Sequence, residues 1–153
     1  MESVMESIYA KGRDNARTPM QWSDAPQAGF TTGTPWLKIN ENYRSINVAS
    51  QEHDPDSVLN YYRSLTALRK SPDYREVFTY GAFQPAYEDT DSIMAYYRIL
   101  DNRRILVAGN FGTTSEVLPL EQPVKKLLLA NEAADYTDTQ LTLKSGQVIV
   151  AEL

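Results

Sequence analysis

A change of texture near Ser71-Pro72 restricts most strongly what this chain can fold into. Before it, residues 11–50 are rich in Gly, Pro, Asn, Thr and Trp and keep neither a helical nor a strand period. After it, from about Glu76, short β-type runs alternate with turn residues. Between the two lies one well-punctuated helix. Asp54 reads as its N-cap, Pro55 as its first residue and Asp56 as first-turn negative charge. Val58, Tyr61, Tyr62, Leu65 and Leu68 then recur at three- and four-residue steps, so both tyrosines are expected in a core. Arg69 and Lys70 complement the end of the helix dipole, and Ser71-Pro72 stops the helix. The strand series is expected to begin with Val77-Phe78-Thr79-Tyr80, closed by Gly81. It continues through Ser92 to Leu100, Arg104 to Asn110, Glu116 to Leu120, Lys125 to Leu129, Leu141 to Leu143 and Gln147 to Leu153. Lys144-Ser145-Gly146 reads as a hairpin turn between the last two. The whole is therefore an α+β chain whose second part is an antiparallel β-sandwich; no repeat of solenoid or propeller length is visible.

The aperiodic stretch has no counterpart in ordinary connections, which are short; long ordered loops are often functional. Its rings, Trp22, Phe30, Trp36 and Tyr43, argue for order, and burial beneath the loop is the expected fate of both tryptophans. Asn40, Asn42 and Asn47 suit side-chain capping of irregular backbone, and His53 is expected to face solvent.

Composition removes several kinds of chemistry. With no cysteine, thiolate nucleophiles, Cys-ligated zinc and iron–sulfur clusters are out, and a single histidine leaves no His-rich metal cluster. Fifteen basic against 20 acidic side chains make nucleic acid an unexpected partner, because binding a polyanion draws on surplus Lys and Arg. The longest apolar runs, such as Leu127-Leu128-Leu129-Ala130, fall far short of the ~18–20 residues that span a bilayer. The opening Met1-Glu2-Ser3-Val4-Met5-Glu6 is acidic where a signal peptide would be basic, so a cytoplasmic protein without a membrane partner is expected.

From Lys11 to Val48 the sequence reads KGRDNARTPMQWSDAPQAGFTTGTPWLKINENYRSINV. This block resembles the α-glucosidases of glycoside hydrolase family 13, in the group of oligo-1,6-glucosidase, dextran glucosidase and trehalose-6-phosphate hydrolase. The core Arg13-Asp14-Asn15-Ala16-Arg17-Thr18-Pro19-Met20-Gln21-Trp22 carries most of the likeness. Ala28 to Gly33 with Pro35-Trp36, and Asn40 to Tyr43 with Ile46-Asn47-Val48, add to it. The resemblance implies that residues 1–71 hold the last loop and last helix of a (β/α)8 barrel, and that residues 72–153 form the antiparallel β-sandwich called domain C. It implies no cofactor or metal. The nucleophile Asp, the acid/base Glu and the stabilising Asp of the family belong to upstream segments, and no counterpart of them occurs here. Retaining hydrolysis needs two carboxyl groups about 5–5.5 Å apart, so the chain alone is expected to be inactive.

One site residue carries over. Arg17 matches the family arginine that hydrogen-bonds a hydroxyl of the terminal glucose, a task suited to a fixed fork of donors. In an intact parent Arg17 would contact sugar beside an upstream Asp; in this chain alone it reads as a surface or salt-bridging arginine. Arg13 and Asp14 read as structural. The resulting expectation is the C-terminal portion of an α-glucosidase for short α-glucans, with α-1,6 linkages favoured and oligosaccharide bound only in the full-length parent. Two alternatives stand beside it: a non-catalytic carbohydrate-binding β-sandwich, and a structural element that self-associates through its exposed barrel helix.

Overall fold

The structure is a computed structural model that describes residues 2–153; Met1, which opens the acidic segment, lies outside them. The chain forms two compact units that divide within one helix, between Asn60 and Tyr61.

The first unit contains α1 (Glu2–Lys11), α2 (Val48–Glu52) and, between them, 3-10 turns at Asp14–Ala16, Pro26–Gly29 and Glu41–Arg44. Order in its long loop comes from hydrogen bonds. The Trp22 and Ser23 amides both donate to the Ala28 carbonyl (2.9 and 3.1 Å), closing a loop through Gln27 and Ala28, both at φ 56, and Gly29 at φ 66. The Gln21 side chain donates to Asn42 Oδ1 (3.1 Å) and to the Ile46 carbonyl. The Gln21 and Trp22 carbonyls in turn accept from the Val48 and Ala49 amides, two of the free donors at the start of α2. Asn47 caps α2: its Oδ1 accepts from the Ser50 amide at 2.8 Å and its Nδ2 donates to the Tyr43 carbonyl at 2.8 Å. Capping by Asn47 is thus found, and His53 faces solvent. Burial of the rings is not found: Trp22 is 51% exposed, Phe30 47% and Trp36 80%. Polar groups hold the loop, so the rings need no apolar pocket to fix it.

Helix α3 (Val58–Lys70) begins three residues later than the sequence suggests. Asp54 spends its carboxylate on the Asp56 amide (3.0 Å) in a local turn, and Ser57 Oγ accepts from the Asn60 amide (3.2 Å), which makes Ser57 the capping side chain. The far end is as expected, at Lys70, with the Ser71 hydroxyl donating to the Leu68 carbonyl. Along the stripe Tyr61, Leu65 and Leu68 are half-buried, whereas Val58 and Tyr62 are exposed. Tyr62 is therefore not a core residue of this chain.

Val77 to Tyr80 is a second departure: Arg75–Tyr80 is helix α4, not a strand. Tyr74, Val77 and Phe78, spaced by three and four, lay one face on the sheet that follows, a use of apolar residues open to a short helix as well as to a strand. Gly81 ends α4, where a Cβ would run into the Val77 carbonyl oxygen and press on that of Ile99.

The β domain has two sheets. In the larger, β1 (Ala82–Ala86), β2 (Ile93–Leu100), β3 (Arg103–Asn110), β8 (Val148–Glu152) and β5 (Lys126–Ala130) lie in that spatial order, all antiparallel. In the smaller, the order is β4 (Glu116–Pro119), β7 (Gln140–Leu143), β6 (Asp135–Tyr136). The antiparallel two-sheet domain is as expected; β1 and β6 are additions. Pro85 within β1 is tolerated because β1 is an edge strand. Both faces of the central strands β3 and β8 are covered, and these strands read as continuous apolar runs. Tyr97, Leu106, Ala108, Ile149 and Ala151 meet Leu118, Leu141 and Leu143 of the small sheet. On the opposite face Ile105 and Val150 meet Tyr74 and Val77, with Leu68 of α3 beside them.

The Lys144-Ser145-Gly146 turn is real but is not a hairpin. Gly146 sits at φ 73 and the Gln147 amide donates to the Lys144 carbonyl (3.1 Å), yet β7 belongs to the small sheet and β8 to the large one. Two buried amides close this end of the sandwich. Asn110 Nδ2 donates to the Leu143 and Thr114 carbonyls and its Oδ1 accepts from the Gly112 amide; Gln147 Oε1 accepts from the Lys144 amide.

Candidate functional site

Arg17 ends the first 3-10 turn, its amide donating to the Asp14 carbonyl at 3.0 Å. One turn of chain places its side chain over that of Asp14, and Nη2 donates to Asp14 Oδ1 at 2.5 Å, with both side chains more than half exposed. The guanidinium also stands 5.9 Å from the centre of the Trp36 ring. Arg17 is therefore an exposed, salt-bridging arginine whose acid partner is supplied within this chain, by a residue that the sequence reading treats as structural. In exposed geometry such a pair stabilises little; its effect is to hold the planar fork in one orientation.

Trp36 is the site feature that sequence reasoning misses. Thr34 and Lys38 at strand spacing, with Gly33 and Thr32 one helical turn before it, give it a mostly polar setting, and that setting is the signal of an outward ring. Next to it in sequence a groove of about 440 Å³ is lined by Thr18, Lys38, Ile39, Asn40 and Glu41. Lys38 Nζ donates to Glu41 Oε1 at 2.6 Å, and this ammonium holds the Glu41 carboxyl below its usual range. That direction is opposite to what a proton-donating acid requires. The unit thus offers a fork of donors, a bare aromatic face and two carboxylates already engaged by cations. It can contact a hydroxylated ligand. Among the described residues no cluster of three acidic or histidine side chains is arranged to hold a metal, and no helix is long and apolar enough to cross a membrane.

Residues 1–81 match the alpha amylase catalytic domain and residues 93–149 the alpha-amylase SusG C-terminal domain. The fold and the loop so define the end of a catalytic domain of that type, followed by its antiparallel C-terminal domain. The chain belongs to the α-amylase family, glycoside hydrolase family 13. It is 45% identical over 141 residues to the oligo-1,6-glucosidase of Parageobacillus thermoglucosidasius, an overlap of 90% of this chain and 25% of that enzyme. Its structure superposes on isomaltulose synthase from Klebsiella sp. LX3 with a TM-score of 0.84 and 38% identity, over 92% of this chain and 25% of the other. Against trehalose-6-phosphate hydrolase of Bacillus licheniformis the TM-score is 0.85 at 34% identity, over 98% and 28%. The chain spans about a quarter of the length of these relatives.

Proposed function

We propose that this chain serves as the C-terminal portion of an α-glucosidase for short α-glucans, with α-1,6 linkages favoured, and that it does not hydrolyse glycosides alone. The observation that carries this reading is the exposed Arg17 fork, fixed by Asp14, within a chain 45% identical to an oligo-1,6-glucosidase. In this role Arg17 donates to a hydroxyl of the glucose whose bond is cleaved, Asp14 orients the fork, and the β domain supports the catalytic unit. Inactivity alone follows from the chemistry of retaining hydrolysis, which requires one carboxyl as nucleophile and a second as acid about 5–5.5 Å away. Asp14 and Glu41 are instead bound to Arg17 and Lys38.

Two measurements test it. The isolated chain, freed of host enzymes, is expected to leave a chromogenic α-glucoside intact; turnover at the level of a whole glucosidase overturns the claim of inactivity. Residues 1–153 are then substituted for the matching segment of the Parageobacillus oligo-1,6-glucosidase. The chimera is expected to cleave isomaltose in preference to maltose, and Arg17→Ala within it to lower kcat/KM by about tenfold or more, the scale of a charge-assisted hydrogen bond. A folded, active chimera indifferent to Arg17→Ala would refute the role given to that residue.

A further inference from the structure

The β domain carries a cleft of about 280 Å³ at the rim of the sandwich, near the lower end of the ~300–1,000 Å³ typical of small-molecule sites. Its walls come from three places: the edge strand at Gln84 and Pro85, the bend at Tyr87, and the segment Pro119 to Glu121 where β4 ends. Tyr97 and Arg104 form its floor. We propose that this cleft is a binding site for a neutral polyhydroxylated ligand, a mono- or disaccharide, gripped by Arg104, Glu121 and Gln84 against the Tyr87 and proline faces.

Three observations carry the proposal. The Arg104 guanidinium carbon stands over the Tyr97 ring, 3.8 Å from its centre, with a side chain only 18% exposed. Arg104 donates to Glu121 Oε2 through Nη1 at 2.8 Å, and its enclosed Nε has no hydrogen-bond partner among the described residues. One end of the guanidinium is thus fixed on Glu121, while Nε is enclosed beyond a ligand's reach, so Nη2, which makes no hydrogen bond among the described residues, is the donor the fork offers. Glu121, 71% exposed, keeps acceptor sites open beside it. Second, Tyr87 takes φ 58, a conformation unfavourable for a residue with a Cβ, and there its hydroxyl donates to the Pro119 carbonyl at 2.7 Å, 3.4 Å from the Tyr97 hydroxyl. Burial and the neighbouring Tyr97 raise the Tyr87 pKa, so the phenol remains neutral. Third, the charges cancel. An anion would meet Glu121 and a cation Arg104, whereas a hydroxyl can donate to the carboxylate and accept from the guanidinium or the Gln84 amide at once. Gln84 stands opposite Tyr97 in the β1–β2 register, so its amide lies on the cleft side of the sheet.

The ligand class follows from the cleft alone and does not depend on the role of Arg17. Two-dimensional amide NMR of the whole chain, titrated with isomaltose, tests it. Saturable shifts at Gln84, Tyr87, Arg104 and Glu121 are expected, with a Kd on the order of 1 mM. Glu121→Gln, at an exposed position, is expected to weaken binding about tenfold, and Gln84→Ala severalfold, with unfolding temperatures unchanged. Absence of saturable shifts at these residues overturns the proposal. So does wild-type affinity in both variants, or displacement of the same resonances by sulfate and not by isomaltose.

Discussion

Asn110→Ala is expected to destabilise the β domain far more than any surface change, for a reason visible in its bonds. Its side-chain amide makes three: to the Leu143 carbonyl at 2.9 Å, to the Thr114 carbonyl at 2.8 Å and from the Gly112 amide at 2.8 Å. Asn110 itself is 1% exposed, and Leu143 is fully buried. Alanine supplies none of these bonds. Thr114 is exposed and can turn to water, whereas the Leu143 carbonyl is fully buried and the Gly112 amide part-buried, and both lose their partner. At ~1–3 kcal/mol for each buried group left unsatisfied, the loss comes to about 3 kcal/mol. A domain of 60–100 residues shifts by ~4–8 °C per kcal/mol, so the midpoint should fall by at least ~12 °C. The probe must report this unit alone. Both tryptophans, Trp22 and Trp36, lie in the first unit and eight of the ten tyrosines in the second, so near-UV tyrosine dichroism is dominated by the β domain while tryptophan emission stays on the other. Asn131→Ala is the control: Asn131 makes two side-chain bonds, to the Gly146 carbonyl (2.9 Å) and from the Val148 amide (2.8 Å), but at an exposed position where water replaces them. A fall below ~4 °C for Asn110→Ala, or equal falls for the two variants, would refute the reasoning that burial sets the cost.

Three other outcomes are expected. Asn47→Ala removes the cap of α2 and should cost about 1 kcal/mol, read as a lower urea midpoint in tryptophan emission, because the Trp22 carbonyl is anchored on the same helix start. The folded state raises the Tyr87 pKa above its ordinary value of 10.0, so it binds that proton more tightly than the unfolded chain. The stability this gives is complete below pH 10 and is lost as pH rises beyond it; Tyr87→Phe should flatten the alkaline decline in melting temperature, and an unchanged decline would contradict it. Tyr62 stands 61% exposed on α3, and we expect this bare ring to pair two copies of the chain. Sedimentation of wild type as a dimer and of Tyr62→Glu as a monomer checks it, and a monomeric wild type refutes it.

Legibility in the sequence follows how local each determinant is. The strands from Ile93 to Asn110 and at Val148–Glu152 were readable because a strand buried on both faces is a continuous apolar run bounded by turns. Val77 to Tyr80 was not, since four such residues satisfy a short helix and a strand equally and only the sheet beneath them decides. Asp54-Pro55 resembles a helix start in every local respect, yet Asp54 turns its oxygen to Asp56 and leaves capping to Ser57. The Gly146 turn was legible as a turn, but which sheet each flanking strand joins depends on pairings with β3, β4, β5 and β6.

The two candidate sites show the same contrast. Arg17 was legible only through the block that contains it, and Asp14, three residues before it, is a local partner whose importance appears once the 3-10 turn brings the two side chains together. The cleft of the β domain had no such signal, because Gln84, Tyr87, Tyr97, Arg104 and Glu121 are scattered over nearly 40 positions and are brought together by strand register, the bend at Tyr87 and the turn after β4. A tyrosine beside an acidic run, Glu88 to Asp91, reads as a solvated turn. At φ 58 it instead aims its hydroxyl at Pro119, and this single backbone choice converts a turn residue into a wall. If the cleft binds sugar, replacing Tyr87 by glycine relieves the backbone and removes the wall together, whereas phenylalanine keeps the wall and removes only the hydroxyl. Sugar affinity should therefore survive in the phenylalanine variant and fail in the glycine one.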